Sequence, residues 1–293
     1  ADRLLAPILR AAAADGTLAA TLADADLDAL VGLMTAACVG GGGTPAGAGA
    51  DDEVPPTPRA PAAGPPPPPG ADDLNAALLR LATLLIRAAP DRLVAKRKEL
   101  ITFGWHHLKR DDGGARAAAF VAVSTFLDAY AAPDKVALQV FVALLRTSQA
   151  DGRRGAAREA LDVLTPALAR RLPPAAGDRF PAWVGYVKKV LDEEAHSASH
   201  LAHVWGLVAR HGPLFYPARG LFAPAAVAAL PRLGLAQSTP LDNRKLALDL
   251  AALIVAWEEQ RREESGEGGG GGGAGDAAGD AAARKRARGD SGS

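Results

Sequence analysis

The chain has 293 residues, 48% of them hydrophobic, and its 33 basic side chains balance 33 acidic ones. This length supports one or two domains with a sizeable core, while zero net charge gives no general attraction to nucleic acid or an anionic membrane. A single cysteine, Cys38, excludes an intrachain disulfide framework and a cysteine-rich zinc site, and fits an intracellular protein.

Residues 1–14 carry Asp2, Arg3 and Arg10 among their leucines, so they read as a helix over 2–14 and not as a signal peptide. A second helix over 25–38 completes a predicted helical hairpin, 1–38. The stretch 39–71 passes from Val39 into a run of glycines, closes on Pro65 to Pro69 and beyond Val39 holds one large apolar residue, Val54. Such a stretch cannot repay its ordering entropy and is expected to be a disordered linker. From 72 to 263 the apolar spacing predicts helices over 73–89, 91–109, 114–131, 134–149, 154–171, 181–195, 198–211, 219–234 and 240–263. Residues 264–293, rich in Gly, Ala and Asp, are expected to form a disordered tail. No strict alternation marks a strand, and no apolar run reaches the roughly 18–20 residues of a membrane span.

The stretch from Pro133 to Pro173 is the most informative. Pro133 suits a first helical turn, having fixed φ and no N–H. Val136, Leu138, Val140, Phe141, Val142, Leu144 and Leu145 make the helix that follows apolar nearly all round, so it needs cover on more than one side. After a turn at Asp151-Gly152, a single stripe of Leu161, Leu164, Leu168 and Leu172 follows. A hairpin that cannot bury itself needs neighbours of its own kind, and the paired helices recur every 37–43 residues or so, the period of HEAT-type repeats. The last helix shows the same design: Thr239 as N-cap, Pro240 in the first turn, Asp242 beside the helix N-terminus, then a stripe of Leu246, Leu250, Leu253, Ile254 and Trp257. Gly104, Gly185 and Gly206 each cost about 1 kcal/mol relative to alanine inside a helix, and close helix contacts would account for them.

Several blocks also carry a family resemblance: Lys135, Gln139 to Leu145, Gly152-Arg153, Ala160 to Leu164, Leu172-Pro173, Glu193 to His196, Leu214 to Pro217 with Arg219, Arg232 to Leu235, and Asn243 to Leu250 with Trp257-Glu258. Their order and spacing over roughly 95–261 resemble the helical-repeat region of the phosphatidylinositol-3-kinase-related kinase family, in particular its pseudokinase branch. The resemblance implies an all-α, HEAT-like α-solenoid of antiparallel hairpins in a right-handed stack. It also implies a non-enzymatic scaffold in a transcription coactivator of SAGA-type and related histone acetyltransferase complexes. The expected partners are subunits of those complexes and transcription activators, in the nucleus, with no cofactor, membrane or direct nucleic-acid contact. A helical-repeat region of an active kinase of the same family, or an unrelated HEAT adaptor, is the alternative. Because the chain opens on Ala1, it is expected to be a fragment of a longer product.

No residue set reads as a catalytic or metal centre. His196, His200 and His203 fall at i, i+4 and i+7 of one helix, but no HExxH pattern or cysteine partner accompanies them. His106-His107 point about 100° apart on a regular helix and cannot chelate together. Ser197, His200 and Asp192 suggest a nucleophile–base–orienter set, yet Ser197 is better placed as an N-cap. The glycine runs lack the lysine and Ser/Thr of a phosphate loop, and no kinase catalytic motif is present. Lys96-Arg97-Lys98 and Lys188-Lys189 read as wet helix faces. Arg284, Lys285, Arg286 and Arg288 form a short basic run suited to nuclear import or to an acidic partner.

Overall fold

The computed structural model describes residues 17–39, 71–109, 113–147, 154–194, 196–235 and 238–266, and every element among them is helical. In order these are α1 (Thr17–Thr21), α2 (Asp24–Val39), α3 (Ala71–Ala88), a 3-10 stretch Asp91–Lys96 leading into α4 (Arg97–Leu108), and α5 (Gly113–Ala129). Then follow α6 (Asp134–Leu145), α7 (Arg154–Arg171), α8 (Ala182–Glu193), α9 (Ala198–Arg210) and the single turn α10 (Gly212–Phe215). A 3-10 turn, Tyr216–Ala218, precedes α11 (Arg219–Leu230); a π-helical turn, Pro231–Leu235, precedes α12 (Leu241–Glu264). The expected helix over 2–14, the turn at Asp151-Gly152, linker residues 40–70 and tail residues 267–293 lie outside the described residues.

The helices stack in two rows. In one, α3, α5, α7, α9 and α12 pack each against the next, their first residues 41–44 apart in sequence. The other row supplies the antiparallel partners: α4 pairs with α5, α6 with α7, α8 with α9, and α11 with α12. Helix α2 packs on α4 and brings Leu27, Val31 and Met34 into the core shared by α3, α4 and α5. This is the HEAT-like solenoid that the recurrence period predicts.

Burial follows the apolar pattern. In α6, Ala137, Val140, Phe141, Leu144 and Leu145 are buried between α7 and α8. Leu161, Leu164 and Leu168 of α7 are at most 1% exposed. Each such side chain contributes roughly 1.5–3 kcal/mol on burial. Helix α5 is the wall common to two hydrophobic cores: Ala115, Ala118, Ala119 and Phe126 face the first, and Phe120, Val121, Val123 and Leu127 the second. The second core is threaded by edge-to-face rings, Phe141 to Trp183, Trp183 to Phe215 (5.3 Å), Phe215 to Phe222 (5.2 Å) and Phe222 to Trp205.

Prolines set several boundaries differently from the sequence reading. Pro133 is the N-cap of α6, with ψ 134°, rather than a residue of the first turn. Pro240 likewise displaces Thr239 from the N-cap of α12: it has φ −56°, ψ 150°, and its carbonyl accepts from the N–H groups of Asn243 and Arg244. The helix expected over 219–234 stops being α-helical at Leu230, where Pro231 has no N–H to offer and the chain continues as the π turn. The helix expected over 134–149 ends at Leu145, and the one over 91–109 opens as a 3-10 stretch. Of the three glycines singled out, Gly104 is a close approach, since an added Cβ would meet Val123 Cγ2 at 2.7 Å; Gly185 has nothing within 4 Å.

Candidate interaction surface

The polar residues that organise the molecule sit at the steps between repeats. Helix α5 receives both caps from neighbouring helices of its row. Asp72, in the first turn of α3, accepts from the N–H groups of Gly114 (3.3 Å) and Ala115 (3.1 Å). At the other end Arg171, the last residue of α7, donates to the carbonyls of Leu127, Tyr130 and Ala132. The free N–H and C=O groups of a helix end, costly if left unpaired, are thus satisfied across a repeat boundary. Arg170 pairs with Asp128 beside it, and the Tyr130 hydroxyl donates to the Pro90 carbonyl at 2.9 Å.

The next step uses Asp162, on α7. Arg210 Nε of α9 donates to its Oδ1 at 2.7 Å and His211 Nε2 lies 3.0 Å from the same oxygen. Arg158, one turn back on α7, is 3.7 Å from Oδ2. Burial pushes the Asp162 carboxyl up, but the hydrogen bonds from His211 and Arg210, with their charges, outweigh it and hold the group below its ordinary value. Nearby His203 is half-buried. Its Nε2 sits 3.1 Å from the Leu144 carbonyl, so that nitrogen carries the donated proton. Burial lowers its pKa, the Leu144 carbonyl offsets part of this, and the positive Arg210 adds to the lowering.

The last step closes on α12. Trp257 Nε1 donates to the Gly212 carbonyl at 3.1 Å, and the Tyr216 hydroxyl donates to Glu264 at 2.6 Å. The Arg219 guanidinium lies 4.1 Å from the Tyr216 ring centroid. Glu258 is gripped by Arg261 and Arg262, which bring its carboxyl down to about 2. The Leu214 to Pro217 block singled out in the sequence is therefore part of a joint: the Gly212 carbonyl just before it and the Tyr216 hydroxyl within it fasten α12 to the segment that follows α9.

The candidate sites of the sequence reading separate in space. His196 is exposed, His200 Nδ1 lies 3.0 Å from Ser197 Oγ, and His203 is committed to Leu144. Ser197 is the N-cap of α9, its Oγ accepting from the His200 N–H. Asp192 pairs with Lys188 on its own helix and does not complete a triad. Among the described residues no group of three His, Cys, Asp or Glu side chains gathers as metal ligands. The His106 and His107 rings stand edge to face, 5.1 Å apart. Lys96 pairs with Asp28, and Lys189 with Glu193, which also takes Arg146. Arg284, Lys285, Arg286 and Arg288 lie outside the described residues. No described helix is long and apolar enough to cross a membrane.

What the geometry builds is therefore a stack of fastened hairpins with its polar chemistry spent on joints, which is the class of HEAT-like repeat solenoids. The Tra1 HEAT repeat ring region family matches residues 16–287, and the chain belongs to that family. It is 40% identical over 191 residues to the probable transcription-associated protein 1 of Dictyostelium discoideum, a match covering 65% of this chain and 4% of that protein. To the SAGA complex/NuA4 acetyltransferase complex subunit TRA1 of Saccharomyces cerevisiae it is 33% identical over 186 residues, covering 64% and 5%. To the human transformation/transcription domain-associated protein it is 30% identical over 200 residues, covering 65% and 5%. The chain thus spans about a twentieth of the length of these relatives.

Proposed function

We propose that this chain is a non-catalytic scaffold segment of a transcription coactivator, a docking platform within SAGA-type and related histone acetyltransferase complexes. The observation that carries this reading is the family match over 16–287 together with relatives whose names place them in the SAGA and NuA4 acetyltransferase complexes. The polar side chains support it: Asp72, Arg171, Asp162 and Arg210 are occupied in fastening repeats, and Ser197 in capping a helix. A stack of hairpins joined in this way offers a long, stiff surface rather than an enclosed reaction site. In the full assembly that surface takes contacts from activators and brings the acetyltransferase to chromatin, within the nucleus. We assign nuclear import to the run Arg284, Lys285, Arg286 and Arg288. The kinase-like region of the full-length protein is read as a pseudokinase.

The test is affinity purification of the native gene product under gentle salt. Acetyltransferase and adaptor subunits are expected at stoichiometric levels. Recovery of transport cargo or phosphatase subunits in their place would reject the coactivator reading, and phosphotransfer by the purified product would reject the pseudokinase.

A further inference from the structure

Among the described residues threonine stands directly before proline twice, at Thr165-Pro166 and at Thr239-Pro240. Such a pair is what a proline-directed protein kinase reads. A kinase cleft takes its substrate as an extended segment, and proline at the next position enforces that conformation and offers no N–H that the cleft must satisfy. The motif is short and recurs by chance, so the surroundings of each hydroxyl decide whether it can react.

At Thr165 they forbid it. That residue lies inside α7, is fully buried, and its Oγ1 donates to the Leu161 carbonyl at 2.7 Å. Thr239 differs on every count. Thr239 and Pro240 lie outside any helix, ahead of α12. Thr239 is half-buried, while Ser238 before it and Pro240 and Leu241 after it are exposed, Leu241 to 80%. Pro240 has φ −56° and ψ 150°, an extended conformation, and holds the N-cap position itself. Among the described residues the Thr239 hydroxyl therefore bonds to no neighbour.

We infer that Thr239 is a phosphorylation site for a proline-directed Ser/Thr kinase, with a nucleoside triphosphate as donor. Thr239 Oγ1 attacks the γ-phosphorus, and the bond from that phosphorus to the β,γ-bridging oxygen breaks. The nucleoside diphosphate leaves, and the hydroxyl proton passes to the general base of the kinase. The phosphate lands just ahead of α12. The N–H groups of Leu241 and Asp242 precede the first backbone bonds of that helix, which Asn243 and Arg244 donate to the Pro240 carbonyl, and its N-cap residue supplies no side-chain bond. A group of about −1.5 to −2 charge with three acceptor oxygens suits such an end, although the Asp242 carboxylate of the first turn opposes it. Phosphorylation thus tightens the start of the helix whose later turns are fastened through Trp257 and Glu264. The site does not depend on which complex the protein serves.

The experiment incubates the native gene product, purified in its assembly, with a proline-directed kinase and magnesium ATP, and reads the tryptic peptide Leu233–Arg244 by mass spectrometry. Fragmentation of that peptide separates Ser238 from Thr239. Phosphate is expected on Thr239 and not on Thr165. Thr239→Ala should leave the peptide unmodified, and Pro240→Ala, which keeps the hydroxyl, should slow the reaction at least tenfold. In the phosphorylated product amide exchange at the start of α12 should slow about threefold. An unmodified Thr239 overturns the proposal, and phosphorylation of a free peptide of residues 230–246 alone would show that the fold or the assembly closes the site. Phosphate on Ser238 alone overturns it as well, as does a rate that Pro240→Ala leaves unchanged. Exchange that does not slow overturns the tightening of α12.

Discussion

His203 and Asp162, 41 positions apart in sequence, make the α6–α7–α9 junction sensitive to acid. The folded chain holds His203 below its ordinary 6.5, so as pH falls past that value the unfolded chain takes up a proton that the folded chain refuses. Unfolding then becomes easier: the stability this group contributes is complete above pH 6.5 and is lost as pH falls toward its lowered value. Asp162 acts in the same direction in a lower window. Its depressed carboxyl contributes stability above the ordinary carboxylate value of 3.8, and that contribution disappears as pH falls further. His203→Gln, which still donates to Leu144, is expected to flatten the fall in urea midpoint between pH 7.5 and 5.5. An unchanged slope would show that His203 is not the group being titrated. Neither role was legible beforehand. The histidine was visible as one of three on a helix face, but its partner is a backbone carbonyl on another hairpin, and carbonyls carry no signature in sequence.

At the level of elements, apolar periodicity located the helices because each must bury a stripe on a neighbour, and Leu161, Leu164 and Leu168 lie where that argument puts them. Their ends were harder to read for a physical reason. The sequence logic of capping is local, whereas α5 is capped by Asp72 and Arg171 from the helices on either side, and α6, α8 and α12 each begin after a proline at N-cap with no side-chain cap bond. Arg171→Ala leaves the carbonyls of Leu127 and Ala132 without their donor. The bonds are charge-assisted and only partly buried, so the expected loss is about 1–2 kcal/mol in denaturant unfolding. Arg171→Lys should recover only part of it, because a compact ammonium lacks the planar fork that spans several acceptors. Full recovery with lysine would reduce the clasp to simple charge.

Across the whole molecule, coupling runs from each hairpin to the next, since the contacts that define the ladder join neighbours in the row. Trp183 is the best place to test how far a perturbation travels. It is 1% exposed, meets Phe141 and Phe215 edge to face, and belongs to the second core, with α5 as the wall between that core and the first. Trp183→Ala removes an aromatic anchor and leaves a cavity, a loss of about 3–5 kcal/mol for a fully buried ring. In a globule with one core the cost would be felt everywhere. In this ladder it should be felt near its origin: amide exchange is expected to accelerate strongly in α8, α9 and α11, less in α7, and little in α3, which shares no core residue with Trp183. Hydrogen–deuterium exchange resolved by peptide reads this directly. A uniform rise in exchange from α3 to α12 would mean that the hairpins unfold as a single cooperative unit, and that the two cores are not energetically separable across α5.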